Sequence, residues 1–180
     1  MITSGFETGQ NSRGPIIRAA VEADANSLVV LGARLAENDP FLVVTGFDPV
    51  TGAALIRSAV VDGAETGSSE IFVAELDNEL AGFAICRRHP PPERNTILQL
   101  DLGVDDRYRR RGFGSALVLH TIDWARNSDI HRIQLAVVAE NGAALSLYEK
   151  HGFVTEGTLR RGFRLGSNFH DVHVMARLLK

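Results

Sequence analysis

An apolar alternation that runs into a basic, glycine-containing turn and then into a helical stripe constrains this chain more than any other feature. Leu98, Leu100, Leu102 and Val104 alternate with Gln99, Asp101 and Gly103, the period of a strand with one buried face. Beyond the turn, Phe113, Leu117, His120 and Trp124 recur at helical spacing, and Val118, Ile122 and Ala125 widen the stripe. The spacing predicts a strand ending at Val104, a short turn and a helix opening beside Gly112. A helix start leaves backbone N–H groups without partners and carries partial positive charge, so it suits a phosphate. Gly112 and Gly114 would let that phosphate approach the backbone closely.

Four N–H donors at and after Arg110, at ~1.5–3 kcal/mol each for a bond to a charged group, would supply ~6–12 kcal/mol before ordering costs; micromolar binding needs ~8 kcal/mol. A diphosphate anchor is therefore within the loop's means. The plainer reading is tight strand-to-helix packing with the arginines on a solvated face. Neither familiar nucleotide motif fits: Leu117 stands where a G-x-G-x-x-G fingerprint has its third glycine, and the Gly-Lys-Ser/Thr ending is missing.

The stretch Arg109-x-x-Gly112-x-Gly114, with Leu102-Gly103-Val104 before it, resembles the pyrophosphate loop Gln/Arg-x-x-Gly-x-Gly/Ala of the GNAT acetyltransferases. A second segment, Asn141 to Phe153, is similar to the family's later pattern Asn-x-x-Ala-x-x-Leu-Tyr-x-x-x-Gly-Phe. Both stand in the family's order, separated by one helix and one strand, and the resemblance covers residues 70 to 180 best. It implies acetyl-CoA as cosubstrate, no metal, and cofactor contacts from Leu102, Val104, Arg109, Arg110, Arg111, Gly112, Phe113, Gly114, Ser115 and Asn141. It also implies an α+β (mixed α/β) fold, the GNAT acetyltransferase fold. Its central sheet is mostly antiparallel with helices on both faces, and two parallel strands, here ending at Val104 and Val138, splay to admit the pantetheine arm as if it were another strand.

Composition narrows the alternatives. A chain of 180 residues with 44% hydrophobic and 23% charged residues suits one globular domain, read as 15–180 behind a flexible tail, 1–14. The net charge of −3 speaks against general nucleic-acid binding, although Arg107, Arg109, Arg110 and Arg111 form a local basic cluster. One cysteine, Cys86, cannot build a disulfide framework and fits a reducing compartment. With no apolar run of membrane-spanning length and a polar start, the expectation is a cytoplasmic protein with no membrane or nucleic-acid partner.

Along the chain, Pro15 to Ala19 reads as a strand and Glu22 to Glu37 as an amphipathic helix. Asp48-Pro49 opens a second helix through about Val61. In the family these early helices form part of the acceptor site. Ile71 to Glu75 and Leu80 to Arg87 flank the turn signal Asp77-Asn78, and His89-Pro90-Pro91-Pro92 ends the second strand. Arg132 to Val138 is a further strand, Asn141 caps a helix through Lys150, and Gly152 stops it. Val154 to Leu165 and His170 to Leu178 close the chain as a hairpin.

The resemblance places Tyr148 near the thioester sulfur as the proton donor, or hydrogen-bond donor, to the departing thiolate; the plainer reading is a core tyrosine. With unperturbed values, transfer from a tyrosine of pKa ~10 to a thiolate of ~8.5 is uphill by ~2 kcal/mol, whereas a hydrogen bond needs no shift. A general base is harder to find. Leu98 and Leu100 occupy the face where relatives carry Glu or His, Ala136 offers no carboxylate, and Asp101 or Glu140 acting through water remain. At pH 7 an α-amino group of pKa ~8 is ~10% neutral and a lysine only ~0.04%, so a weak base favours a free amino acid, small amine or peptide N-terminus.

The segment from Glu156 to Arg177 looks most like bacterial amino-acid and small-amine N-acetyltransferases, with Arg160, Arg161 and Arg164 as carboxylate binders or a solvated face. Alternatives are a protein N-terminal or antibiotic acetyltransferase and a non-catalytic acyl-CoA sensor. Dimers are common in the family, which leaves a homodimer open. His120 and Trp124 read as packing residues and Cys86 as a small buried one.

Overall fold

Each predicted alternation becomes a strand and each stripe a helix in the computed structural model, which describes residues 14–42, 52–89 and 96–179. After β1 (Ile16–Ala19) come a 3-10 turn at Glu22–Asp24, α1 (Ala25–Asn38), α2 (Gly52–Thr66), β2 (Ser69–Leu76) and β3 (Glu79–Arg88). Then follow β4 (Ile97–Val104), a second 3-10 turn at Asp106–Tyr108, α3 (Phe113–Arg126), β5 (Arg132–Val138), α4 (Gly142–Lys150), β6 (Val154–Leu165) and β7 (Asn168–Leu178). The strands form one sheet in the order β1-β2-β3-β4-β5-β7-β6, antiparallel except for the β4–β5 pair.

Two cores flank the sheet. On one face α3 and α4 cover Leu98, Leu100, Ile133 and Leu135. On the other, α1 sets Leu28, Leu31 and Leu35, and α2 sets Ile56, against Val73, Phe83 and Ile85. Each such leucine, fully buried, contributes ~1.5–3 kcal/mol. Gly103 belongs to the second face because α1 sits so close: a Cβ there would lie 2.8 Å from Leu35 Cδ1 and 2.9 Å from Phe83 Cζ. In the β2–β3 turn Asp77 and Asn78 have φ of 51° and 64°, the left-handed pair that a tight hairpin requires.

The feature that creates a site is the failure of β4 and β5 to stay together. They pair only from Ile97–Gln99 to Arg132–Gln134, after which no ladder joins them. Ala136, midway along an interior strand, is consequently exposed. These are the splayed parallel strands expected.

Some boundaries differ from the sequence reading. α2 runs on to Thr66 rather than stopping near Val61. Gly63 stays helical where β2 crosses beneath it, a Cβ there falling 2.2 Å from Ser69 Oγ, and the left-handed Gly67, φ 65°, ends the element. β7 begins at Asn168, two residues early, because only Gly166-Ser167 is needed to turn. Residues 1–13 of the expected tail, the Asp48-Pro49 helix start and Pro90–Pro92 lie outside the described residues.

Candidate active site

Strand chemistry decides what the gap presents. Asp105 N–H bonds Ala81 O across β3, so Asp105 and Gly103 direct their peptide groups at β3. By alternation, Leu102 and Val104 turn theirs toward the gap, and Val104 O indeed accepts from Arg109 Nε at 3.1 Å. Side chains of Leu102 and Val104 pack against the α3/α4 core.

At the open end of the gap the chain changes hand twice. Arg110 has φ 59° and Gly112 φ 90°, and Phe113 begins α3. The first is costly for a residue with a Cβ, which marks a backbone held for a purpose. Among the described residues, no backbone N–H from Arg110 through Ser115 has a hydrogen-bond acceptor; Ala116 N–H, bonded to Gly112 O at 2.9 Å, is the first that does. Such a run at the start of a 14-residue helix has the donors and the partial positive charge that suit an anion. The Arg111 guanidinium lies over the rings of Tyr108 and Phe113, at 5.3 and 5.6 Å, which holds it beside the helix start.

The loop stands on a buried carboxylate. Asp105, closed to solvent, accepts from the Arg107 backbone at 3.0 Å and side chain at 2.9 Å, and pairs with Arg34 at 2.5 Å. Burial pushes its pKa upward, but Arg107 and the Arg34 charge prevail and hold it at about 2. Arg107 continues to Glu79, which also accepts from Tyr108 Oη at 3.0 Å. Arg109 spans Val104 O and Asp39 Oδ2, 3.0 Å, so it braces the loop against the end of α1.

Across the cleft, Tyr148 on α4 is buried, tilted against Phe153 at 5.7 Å, and its hydroxyl has no hydrogen-bond partner among the described residues. Burial, with the Asp101 charge adding to it, raises its pKa well above the ordinary tyrosine value, so the group is a proton-bearing donor. Asn141 caps α4, its Oδ1 accepting from Ala144 N at 3.1 Å. Ser115 shares a 3.0 Å hydrogen bond with His151 Nε2, and burial, Lys150 and Arg177 press that histidine's pKa below its ordinary value.

On the α1 face Gln99 and Asp101 point away from Leu98 and Leu100, as their spacing predicts. Gln134 Nε2 lies 3.3 Å from Gln99 Oε1 and 2.9 Å from His89 Nε2. Asp101 pairs with Arg87, yet burial outweighs that pairing and raises its pKa, which makes it a better proton acceptor than a surface carboxylate. Arg161 is engaged rather than free: its N–H bonds Asp171 Oδ1 at 2.8 Å and its guanidinium lies 4.2 Å from the Phe169 ring. His120 packs edge-on against Phe72 at 4.6 Å, and Cys86 is buried, which pushes its thiol up to about 12 against the Thr121 hydroxyl that opposes the shift. Sequence reasoning missed Asp39, Asp105 and His151, because none carries a local pattern that announces its partner.

The family's sequence profile, described as the acetyltransferase (GNAT) family, matches residues 47–153. The chain is 31% identical over 108 residues to the L-amino acid N-acetyltransferase AaaT of Escherichia coli K12, 59% of this chain and 67% of the relative. It is 31% identical over 166 residues to the N-alpha-acetyltransferase RimI of Mycobacterium tuberculosis, 89% of this chain and 90% of the relative. Against a group of enterobacterial ribosomal-protein-alanine N-acetyltransferases the matched stretch spans as little as 59% of their length. The crystal structure of a GNAT-family acetyltransferase from Streptococcus pneumoniae superposes with a TM-score of 0.85 at 30% identity, covering 92% of this chain and 99% of that one. The chain belongs to the acetyltransferase (GNAT) family. It is an acyltransferase of that family, for which acetyl-CoA is the acyl donor.

Among the described residues no group of His, Cys, Asp and Glu is placed to hold a metal ion, and no helix is long and apolar enough to cross a membrane.

Proposed function

We propose that this protein transfers the acetyl group of acetyl-CoA directly to the primary amine of a free amino acid or small amine. The unpartnered N–H run from Arg110 to Ser115, at the open end of the β4–β5 gap, carries the reading. The donor's diphosphate would take those N–H groups, with Arg110 and Arg111 beside it. Its pantetheine arm would bond the peptide groups of Leu102 and Val104, and Asn141 would contact it from α4. The acceptor nitrogen then attacks the thioester carbon and the carbon–sulfur bond breaks. Tyr148 donates a hydrogen bond to the departing thiolate, a role that its raised pKa leaves intact. The amine's proton passes to Asp101, directly or through water; it is the carboxylate whose charge reaches Tyr148.

The α-amino preference follows from acid–base populations, since a weak base loses less with an amine of pKa ~8 than with a lysine. AaaT, by its name, acetylates L-amino acids. A protein N-terminal acceptor is the second reading, favoured by the longer match to RimI. Calorimetric titration with acetyl-CoA, followed by thiol release with a panel of amines, tests both. Tyr148→Phe should lower kcat by about 100-fold, as loss of one leaving-charge donor does, and leave acetyl-CoA affinity within about twofold. No binding of acetyl-CoA by the intact protein would refute the proposal.

A further inference from the structure

Outside the groups already used, one cluster stands on the acceptor face at the open end of the gap. Glu140 follows β5 directly, and β7 lies beside β5, with Ala139 N–H bonded to Asp171 O at 2.9 Å. His170, the residue before Asp171, shares a 3.1 Å hydrogen bond from Nδ1 to Glu140 Oε1. A carboxylate can only accept, so Nδ1 carries the hydrogen. The other ring nitrogen, Nε2, is shut off from water and has no partner among the described residues, whereas Nδ1 holds Glu140.

Two aromatic rings flank the imidazole: Phe41 edge-on at 5.9 Å and Phe163 at 6.3 Å. Phe41 comes from the segment after α1, where Asp39 Oδ1 accepts its N–H at 3.0 Å while Oδ2 holds Arg109 of the loop. The cluster therefore bridges the two diverging strands, tied to the end of β4 through Arg109 and Asp39 and to the end of β5 through Glu140. Along β7, His170 shares its face with Val172, Val174 and Ala176, the face opposite Met175 and the α3/α4 core. Glu140 keeps 53% of its side chain exposed, and its second oxygen has no partner among the described residues.

An exposed carboxylate held by a half-buried imidazole, beside half-buried aromatic rings, has the chemistry to receive a cation attached to an apolar group. We propose that Glu140 binds the acceptor's ammonium group, that His170 positions Glu140, and that Phe41 and Phe163 take the apolar group next to that amine. This deepens the acetyl-transfer reading and rests on it. It specifies the acceptor as a primary amine with an apolar neighbour, such as an amino acid or peptide end with a hydrophobic first side chain.

The experiment measures thiol release with L-phenylalaninamide and with ethanolamine, and acetyl-CoA affinity by calorimetry, for the intact protein and four variants. The intact protein should show the lower KM for phenylalaninamide. Glu140→Gln should raise that KM by about 10- to 100-fold, the equivalent of one charge-assisted hydrogen bond, with kcat within about threefold and acetyl-CoA affinity unchanged. His170→Phe, which keeps a ring but loses the donor, should reproduce Glu140→Gln. His170→Asn, which keeps a donor, should stay within about threefold of the intact protein. Combining Glu140→Gln with His170→Phe should add nothing, because both remove one interaction.

A Glu140→Gln enzyme with unchanged KM, or a His170→Phe enzyme with unchanged KM, overturns the inference while acetyl transfer stands. If the intact protein binds acetyl-CoA but releases no thiol, phenylalaninamide is titrated into the CoA-saturated protein. Heat of binding lost in Glu140→Gln supports the subsite, and no heat in the intact protein overturns it. Failure to bind acetyl-CoA refutes the transfer reading itself, and the same amine titration without CoA then decides the subsite by the same two outcomes.

Discussion

Gly112 and Gly166 make a matched pair for testing whether the loop backbone is the phosphate site. Both are left-handed, at φ 90° and 59°, and a Cβ at either would meet nothing within 4 Å. Alanine at each position therefore costs only the backbone conformation, about 1–2 kcal/mol. In a chain of this size that is a fall in Tm of roughly 2–8 °C for Gly166→Ala, which keeps its turn, and a smaller fall for Gly112→Ala if its turn relaxes. Their effects on the donor should differ. Gly112→Ala can relieve its strain by turning out of the left-handed region, which rotates the neighbouring N–H groups away from where an anion would lie. Binding must then restore the original hand, so the same 1–2 kcal/mol appears as an acetyl-CoA Kd raised about 5- to 30-fold. Gly166, in the β6–β7 turn, contributes no N–H to the loop, and Gly166→Ala should leave Kd within about twofold. Calorimetric titration beside thermal unfolding reads both quantities. Equal effects of the two variants on Kd, whether none or both large, would refute the reasoning.

Asp105 should make stability fall in acid. Its pKa is depressed to about 2, so its stabilisation is present above the unfolded value of ~3.9 and disappears as pH falls through the folded one. The amount is ~2–3 kcal/mol, and Asp105→Asn, less stable at neutral pH, should show a flatter decline between about pH 4 and pH 2 in denaturant titrations. An unchanged slope would count against the buried pairing with Arg34 and Arg107. Cys86, with its thiol raised to about 12 by burial, should resist iodoacetamide in the native protein and react once unfolded, followed by intact mass. Rapid native labelling would contradict its buried position, whereas resistance means that thiol-release assays report CoA alone.

Much of the fold is legible locally because the signals act over a few residues. The alternation of Leu98 to Val104 needs only a period of two, and the Asp77-Asn78 turn only two residues tolerant of positive φ. Asn141 caps the N–H three residues on, and Gly112 and Gly152 take the left-handed angles that glycine alone adopts freely. The strand–loop–helix with its run of unpartnered N–H groups was readable for the same reason: those groups are consecutive. The helix expected to end near Val61 instead runs to Thr66, because Gly63 packs against Ser69 of β2, a contact between segments.

The supports of the site were not legible, because each joins residues that only the sheet order brings together. Arg109 reaches Asp39 across seventy positions, and His151 reaches Ser115 across thirty-six. The Glu140–His170 pair exists because β7, not β6, lies next to β5, and a hydrogen-bond ladder has to choose that neighbour before the two side chains can meet. The gap itself is a tertiary fact. Nothing in β4 or β5 alone states that they part after Gln99 and Gln134; the separation is visible only in the pairing of the assembled sheet. The sequence by itself determined which segments are strands and helices and where the glycine-containing turn into α3 opens, since those choices are settled by neighbours along the chain. The tertiary structure decided which charges are buried and which carboxylates pair with which cations, since those depend on contacts between segments distant in sequence.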